Sequence, residues 1–414
     1  MKKIIYINLD GFSYSYYQMA KKMGRTKIFD KFAEDGFILS NLHSGIVSIT
    51  SPMQGAILSG AWSNKTHNFY QHYDNQTKQI VKHLRTNDAE NIAAAYLRHG
   101  LSAISIHQFM LENTTCKYDV KDRAYFRTET MPSNYEPRLS ILKDLIEKKP
   151  LKSKEETFVY ETLPEFIAVY IDDLDAIGHN NNVYDTLPIR HTIEERLDDI
   201  LLRIDKIQHK LLEVVETTKR LGIYDDIIFL ITTDHGMTKF EGKSLIHTLK
   251  KQINDLGIHA SLVADRTEET EVILLPYNIE CSIYYDKPLS KEKEDKLVKL
   301  LSSLTYCDYH PKEVLLNKYD MDVRAPEFLI CAKKPGHFYH RDYDKGIYGA
   351  AHDSFDETSQ HIFGVLFGKD VDKKLIYDGY VENIDFIPTL AQYAQNITLK
   401  DATGKIHLDF FKRK

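Results

Sequence analysis

Acids and histidines stand at the ends of apolar runs in this chain. "KIIYINLD" ends in Asp10, "EFIAVYIDDLD" reaches Asp175, and "IIFLITTDHGM" places Asp234 and His235 side by side. His179 follows Asp175 by four positions in "YIDDLDAIGHNN", a spacing that puts both side chains on one face of a helical turn. His352 lies in the glycine-flanked loop "GIYGAAHDSFDE". Carboxylate oxygens and imidazole nitrogens without sulfur suit Zn2+ first, with Mn2+ or Fe as second choices. Six such ligands exceed what one tetrahedral ion takes and match two ions sharing a cleft. Two ions roughly 3.5–4 Å apart clamp the attacking and leaving oxygens of a phosphoryl transfer.

Ligands so scattered in sequence need a frame to bring them together. Strands read from "KIIYINLD", "FILSNLHS", "LSAISIH", "EFIAVYIDD", "IIFLITT" and "IFGVLFG" alternate with helices, and several are apolar throughout. That pattern predicts an α/β fold with a mainly parallel central sheet covered by helices on both faces. Ligands of such sheets collect at the carboxyl ends of the strands, where Asp10, Asp175, Asp234 and His235 all fall. "TSPMQGAILSGAW" reads as a helix start with Thr50 as its cap and Pro52 in the first turn. "IEERLDDILLRIDKIQHKLLEVVETTKRLG" is a long amphipathic helix with Leu197, Ile200, Leu201 and Ile204 on its apolar face, closing at Gly222. Residues 110–160 read as a polar surface excursion holding one helix near "EPRLSILKDLIEK". The character changes at about 262–344, which predicts a small α+β cap inserted between core segments 1–261 and 345–414.

The 414 residues carry 54 Lys+Arg against 60 Asp+Glu, a net charge of −6, and 43% of them are hydrophobic. This mild acidity argues against general nucleic-acid or anionic-membrane binding. No apolar run reaches a membrane span. The apolar part of "MKKIIYINLDGF" is shorter than the roughly 7–15 residues of a signal h-region, so it reads as the first strand. Four scattered cysteines, Cys116, Cys281, Cys307 and Cys331, suit free thiols in a reducing cytoplasm.

"NLDGF", "TSP", "YIDDLDAIGH", "TTDHGM" and "AAHD" occur in the order found in the alkaline phosphatase superfamily, and the chain resembles its nucleotide pyrophosphatase/phosphodiesterase branch over nearly its whole length. The resemblance implies a metal site of Asp175, His179 and His352, and a second of Asp10, Asp234 and His235 with Thr50. It further implies that Thr50 is the catalytic nucleophile, attacking phosphorus in line to form a phospho-threonine intermediate. The implied substrate is a small-molecule phosphate ester or nucleotide. Ser51 is the rival hydroxyl. A phosphomonoesterase, a phosphonoacetate-type phosphonate hydrolase and a non-catalytic metal-binding homologue are the alternatives.

The chain departs from that branch in places. Thr50-Ser51-Pro52-Met53 stands where relatives have Thr-aromatic-Pro-Asn, and Leu174 replaces the proline before the metal-site aspartate. His72 stands in for a phosphate-binding asparagine if one residue is inserted. His337, His340 and Arg341 in "GHFYHRDYDKGIYG" form a segment expected to border the substrate, with Arg341 reaching an anionic group. Lys117, Lys121 and Arg123 are further candidates for an anionic substrate group.

Overall fold

The computed structural model describes residues 2–112, 125–128, 134–153, 156–180, 187–339 and 347–412. Arg341, His340, Lys117, Lys121, Arg123 and Cys116 lie outside the described residues.

The central sheet has eight strands. In chain order they are β1 (Lys3–Leu9), β2 (Gly36–Leu39), β3 (Ala103–Ile106), β4 (Tyr125–Phe126), β5 (Phe166–Ile171), β6 (Ile227–Thr232), β7 (Gly364–Gly368) and β8 (Leu375–Tyr377). Their spatial order is β8-β2-β7-β6-β1-β5-β3-β4. Only β7 runs against its neighbours; every other pairing is parallel. The continuous apolar runs are explained by burial on two faces at once. Ile5, Ile7, Leu9, Ile167, Val169, Phe229 and Ile231 join one hydrophobic cluster. The alternate residues Ile4, Tyr6, Phe166, Ala168, Ile228 and Leu230 join the other. A strand so enclosed has no polar face to show.

Helices close both faces. The long helix α3 (Ile193–Arg220) is capped by the Thr192 side chain, which accepts from the Glu195 amide at 3.1 Å. It buries Ile200, Leu201, Ile204, Ile207, Leu211, Val214 and Val215 on the sheet side. The helix expected near residue 140 forms over Tyr135–Ile146. It is no surface excursion: Leu139, Leu142, Leu145 and Ile146 are core residues on the same face as α3. Helix α1 (Thr50–Ser59) is almost wholly buried, and helix α2 (Asp173–His179) follows β5 by one residue.

A separate five-stranded sheet spans Ala260–Ala332 and has its own hydrophobic cluster. Ile246, Leu249 and Ile253 of helix Ile246–Asn254 belong to that cluster, so its core draws on residues on both sides of position 262. Cys281, Cys307 and Cys331 are buried there as free thiols. No described helix is long and apolar enough to cross a membrane.

The lower edge of the central sheet is fastened by Glu165. Its carboxylate accepts from Lys3 Nζ at 2.8 Å and from the Ser102 amide and hydroxyl at 2.8 and 2.7 Å, joining the starts of β1, β3 and β5. Burial opposes the charge, but Lys3 and Ser102 outweigh it and pull the carboxyl from its usual 4.5 down to about 2. A depressed folded-state pKa means stability that is complete above the unfolded value and lost as pH falls through the folded one. Glu165→Gln should therefore lower urea stability near neutral pH by about 1.5–3 kcal/mol, the range for hydrogen bonds to a charged group. It should also flatten the loss of stability between pH 4.5 and 2 that the native chain shows.

Candidate metal centre

Three adjacent strands deliver the candidate ligands. β1 lies between β5 and β6, with Leu9 level with Ile171 and Asn8 level with Thr232. That register brings the three carboxyl ends to one line. Asp10 follows β1, Asp234 and His235 follow β6, and Asp175 and His179 occupy the helix that leaves β5. His352 arrives from the far side, just past strand Ile347–Ala351.

The structure brings all six together in two groups. Asp175, His179 and His352 form one, and Asp10, Asp234 and His235 the other, with the donor atoms of each group within 4.8 Å of one another. In the first, Asp175 Oδ1 is 3.3 Å from His179 Nε2 and 3.6 Å from His352 Nε2. In the second, His235 Nε2 is 3.3 Å from Asp10 Oδ1 and 3.5 Å from Asp234 Oδ2. Ligand atoms at the corners of a tetrahedral ion with bonds of ~2.0–2.2 Å stand about 3.3–3.6 Å apart, so the spacing fits. The groups abut: the His235 and His352 rings stack at 3.8 Å, and the Asp175 amide donates to the Asp10 carbonyl at 3.1 Å. Gly11 permits this closeness. It adopts φ +79°, and a Cβ there would meet the Asp175 backbone at 3.0 Å.

A bound cation is also what the polar accounting calls for. Asp10 Oδ1, Asp175 Oδ1 and Asp234 Oδ2 are buried with no hydrogen-bond partner, one oxygen from each carboxylate. Buried carboxylate oxygens left unpaired are costly unless a cation takes them. The other oxygens of Asp10 and Asp234 are held. Tyr170 donates its hydroxyl to Asp10 Oδ2, and Thr233 donates to Asp234 Oδ1 at 3.2 Å. Ser44 and Asn383 donate to the Asp234 carbonyl at 2.6 and 3.1 Å. His352 Nδ1 lies 2.8 Å from the Ser48 carbonyl and His235 Nδ1 3.2 Å from that of Gly236. A carbonyl only accepts, so each Nδ1 carries the proton and each Nε2 offers its lone pair to the centre. The Ala350 backbone binds the His179 ring in the same manner. Burial first, and His235 second, push His352 well below the usual imidazole range and keep it neutral. Burial, then Asp234 and Asp175, push the Asp10 carboxyl up.

Thr50 is not the helix cap that its sequence position suggests. Ile49 occupies the cap in extended backbone, and Thr50 is the first helical residue with no capping bond. Its hydroxyl instead lies 3.1 Å from His235 Nε2. Ser51 is turned away: its hydroxyl donates to the Leu84 carbonyl and accepts from Asn68 Nδ2 at 3.1 Å. His72 is buried on strand Gln71–Asp74, with Nδ1 2.8 Å from His83 Nε2, and belongs to neither ligand group. His337 is likewise internal, 3.0 Å from the Gly242 carbonyl.

Other contributors carry little signal in the sequence. Tyr170 is a single hydroxyl inside an apolar strand, level with Asn8 and two residues short of Asp10 in the register. Asp353 directly follows His352 and accepts from the amides of Asn278, Ile279 and Glu280 at 2.9, 2.8 and 3.1 Å, tying the second sheet to the ligand loop. That tie sets Tyr277 near the centre, where burial, Tyr70, Asp353 and Asp175 keep its hydroxyl protonated. The Tyr70 and Tyr277 rings lie 4.7 Å apart. Tyr170→Phe is expected to weaken metal at the Asp10 group by about 10–100-fold, the usual effect of losing a hydrogen bond behind a ligand. Competition with a coloured chelator measures it, and an unchanged affinity would reduce Tyr170 to packing.

Residues 4–359 match the family model described as type I phosphodiesterase/nucleotide pyrophosphatase. The chain belongs to that family. All six candidate ligand positions and Thr50 fall within the matched residues of this phosphodiesterase/nucleotide pyrophosphatase family member. The family is one of metal-dependent phosphodiesterases and pyrophosphatases that typically use two metals. Murine ectonucleotide pyrophosphatase/phosphodiesterase 5 has a similar fold, at TM-score 0.69 and 15% identity with 100% of each chain covered. The human protein of the same name gives 0.70, 15% and 100% of each chain. An inactive threonine-to-alanine variant of the murine protein, solved in complex with AMP, gives 0.70, 15% and 100% of each chain. No curated protein sequence matches the chain.

Proposed function

We propose that the protein is a two-metal phosphodiesterase that cleaves nucleotide phosphate esters through a phospho-Thr50 intermediate. The observation that carries this reading is the Thr50 hydroxyl, free of any capping bond and 3.1 Å from His235 Nε2, beside two abutting ligand groups. AMP in the murine relative's structure supports a nucleotide as substrate.

Asp175, His179 and His352 would hold one ion, and Asp10, Asp234 and His235 with Thr50 the other, with Zn2+ the first choice for an oxygen and nitrogen set. Divalent ions bound there supply Lewis-acid polarisation of the phosphoryl oxygens and acidify a bound hydroxyl or water. The chain's own residues do the rest. Thr50 presents its oxygen to phosphorus from the start of α1, where amides without intrahelical partners and the helix dipole favour the transferred anionic group. Ser44, Asn383, Ser48 and Tyr170 fix the ligands so that little reorganisation accompanies attack. The turn of the second sheet, tied down by Asp353, carries Tyr277 to the side of the donor groups.

A panel of bis-p-nitrophenyl phosphate, p-nitrophenyl phosphate and phosphonoacetate tests the reaction class. The metal-loaded protein should prefer the diester. Preference for the monoester or for phosphonoacetate would move the assignment within the superfamily. Two bound metals with no turnover of any ester would leave a metal-binding protein.

A further inference from the structure

Behind α2, on the side away from the ligands, lies a cavity of about 170 Å3. Ala176 and Ile177 line it, about 100° and 200° around the helix from Asp175. The charged side chains lining it are Arg190, Arg196, Arg203, Lys206 and Asp199, four cations to one anion.

Two of these cations are already neutralised. Arg190 pairs with Asp199, Nη2 to Oδ1 at 2.9 Å, and Arg203 pairs with Asp173 of α2. Arg196 and Lys206 have no ion pair among the described residues. Lys206 is exposed at the rim, but Arg196 is only 3% exposed. Its Nη1 makes two long contacts, 3.3 Å to the Tyr16 hydroxyl and 3.4 Å to the Gly178 carbonyl. Its Nε is buried and has no hydrogen-bond partner, and its Nη2 makes no hydrogen bond among the described residues. A guanidinium cannot shed its proton to escape such a setting, so a buried unpaired one calls for a counter-ion.

We propose that this cavity is a second anion site, separate from the metal centre, which takes a phosphate-sized tetrahedral dianion on Arg196 and Lys206. The two unneutralised cations balance a dianion. The volume is below the ~300 Å3 at which pockets for larger ligands begin. An inorganic oxyanion fits this volume. Its occupant would touch the guanidinium that holds Gly178, the residue preceding His179, so the site borders the wall of the metal centre without entering it. The cavity and its unpaired cations stand whether or not the metal centre hydrolyses esters.

Crystals of the metal-loaded full-length protein soaked in selenate locate the site by anomalous scattering, and calorimetric titrations with phosphate and with sulfate measure its affinity. The expected result is a selenium peak in the cavity beside Arg196. Lys206→Glu should remove that peak and weaken the corresponding isotherm at least about tenfold, the loss expected for one charge-assisted contact, with metal content unchanged. Arg196→Met should act likewise. Since Arg196 is buried and that variant can misfold, the exposed Lys206→Glu keeps the test decisive. Selenate density confined to the metal centre, or binding unaltered by Lys206→Glu, overturns the proposal. Loss of ester hydrolysis alone bears only on the metal centre.

Discussion

Thr50→Ala is expected to lower diester turnover by roughly a thousandfold or more, the scale of removing a nucleophile, with bound metal and folding stability nearly unchanged. The separation follows from the local structure. A threonine that capped α1 would cost about 1 kcal/mol of stability on truncation. Thr50 makes no capping bond, so the substitution removes only a methyl group and a hydroxyl facing the cleft. Ser51→Ala should behave in the opposite way. It deprives the Leu84 carbonyl and Asn68 of a buried partner and should cost about 1 kcal/mol of stability, while leaving turnover nearly intact. Steady-state rates, metal analysis and urea denaturation on the two variants give six comparisons. A fully active Thr50→Ala would transfer the nucleophile's role to another group and dismiss the phospho-threonine route.

The clustering of these six side chains is legible because of where strands end. A parallel strand enclosed on both faces must be apolar throughout, so the first acid after it marks its exit, as Asp10 does after "KIIYINL" and Asp234 after "IIFLITT". What an apolar run does not record is its direction. "GVLFG" reads like the other strands, yet β7 runs antiparallel, because direction is set by the connections rather than by the strand residues. The cap of α1 was misplaced for a related reason. Thr-x-Pro suits a capping threonine, and only the extended backbone of Ile49 and the pull of His235 move the cap back by one residue. Tyr170 and Asp353 act through partners more than seventy positions away, and no local pattern announces such partners. A motif position also does not record lateral partners: His72 pairs with His83 inside a small aromatic stack.

Asp234→Asn should change stability with opposite signs in the presence and absence of metal. In chelated protein three carboxylates, Asp10, Asp175 and Asp234, share one buried centre, and after burial itself Asp234 is the largest influence raising Asp10. Removing its charge relieves that repulsion, and the amide keeps the shape and the contact with Thr233. A gain of about 1–3 kcal/mol is expected, as when a buried charge is replaced by a neutral group. In metal-loaded protein the same change removes a ligand. An ion present at about a thousand times its dissociation constant contributes ~4 kcal/mol by mass action, and most of that should disappear for the Asp10 group. The variant should thus melt above the native chain in chelator and below it in zinc, with one ion bound in place of two. Equal destabilisation in both conditions would mean that Asp234 is a structural acid and that the paired donor groups do not hold cations.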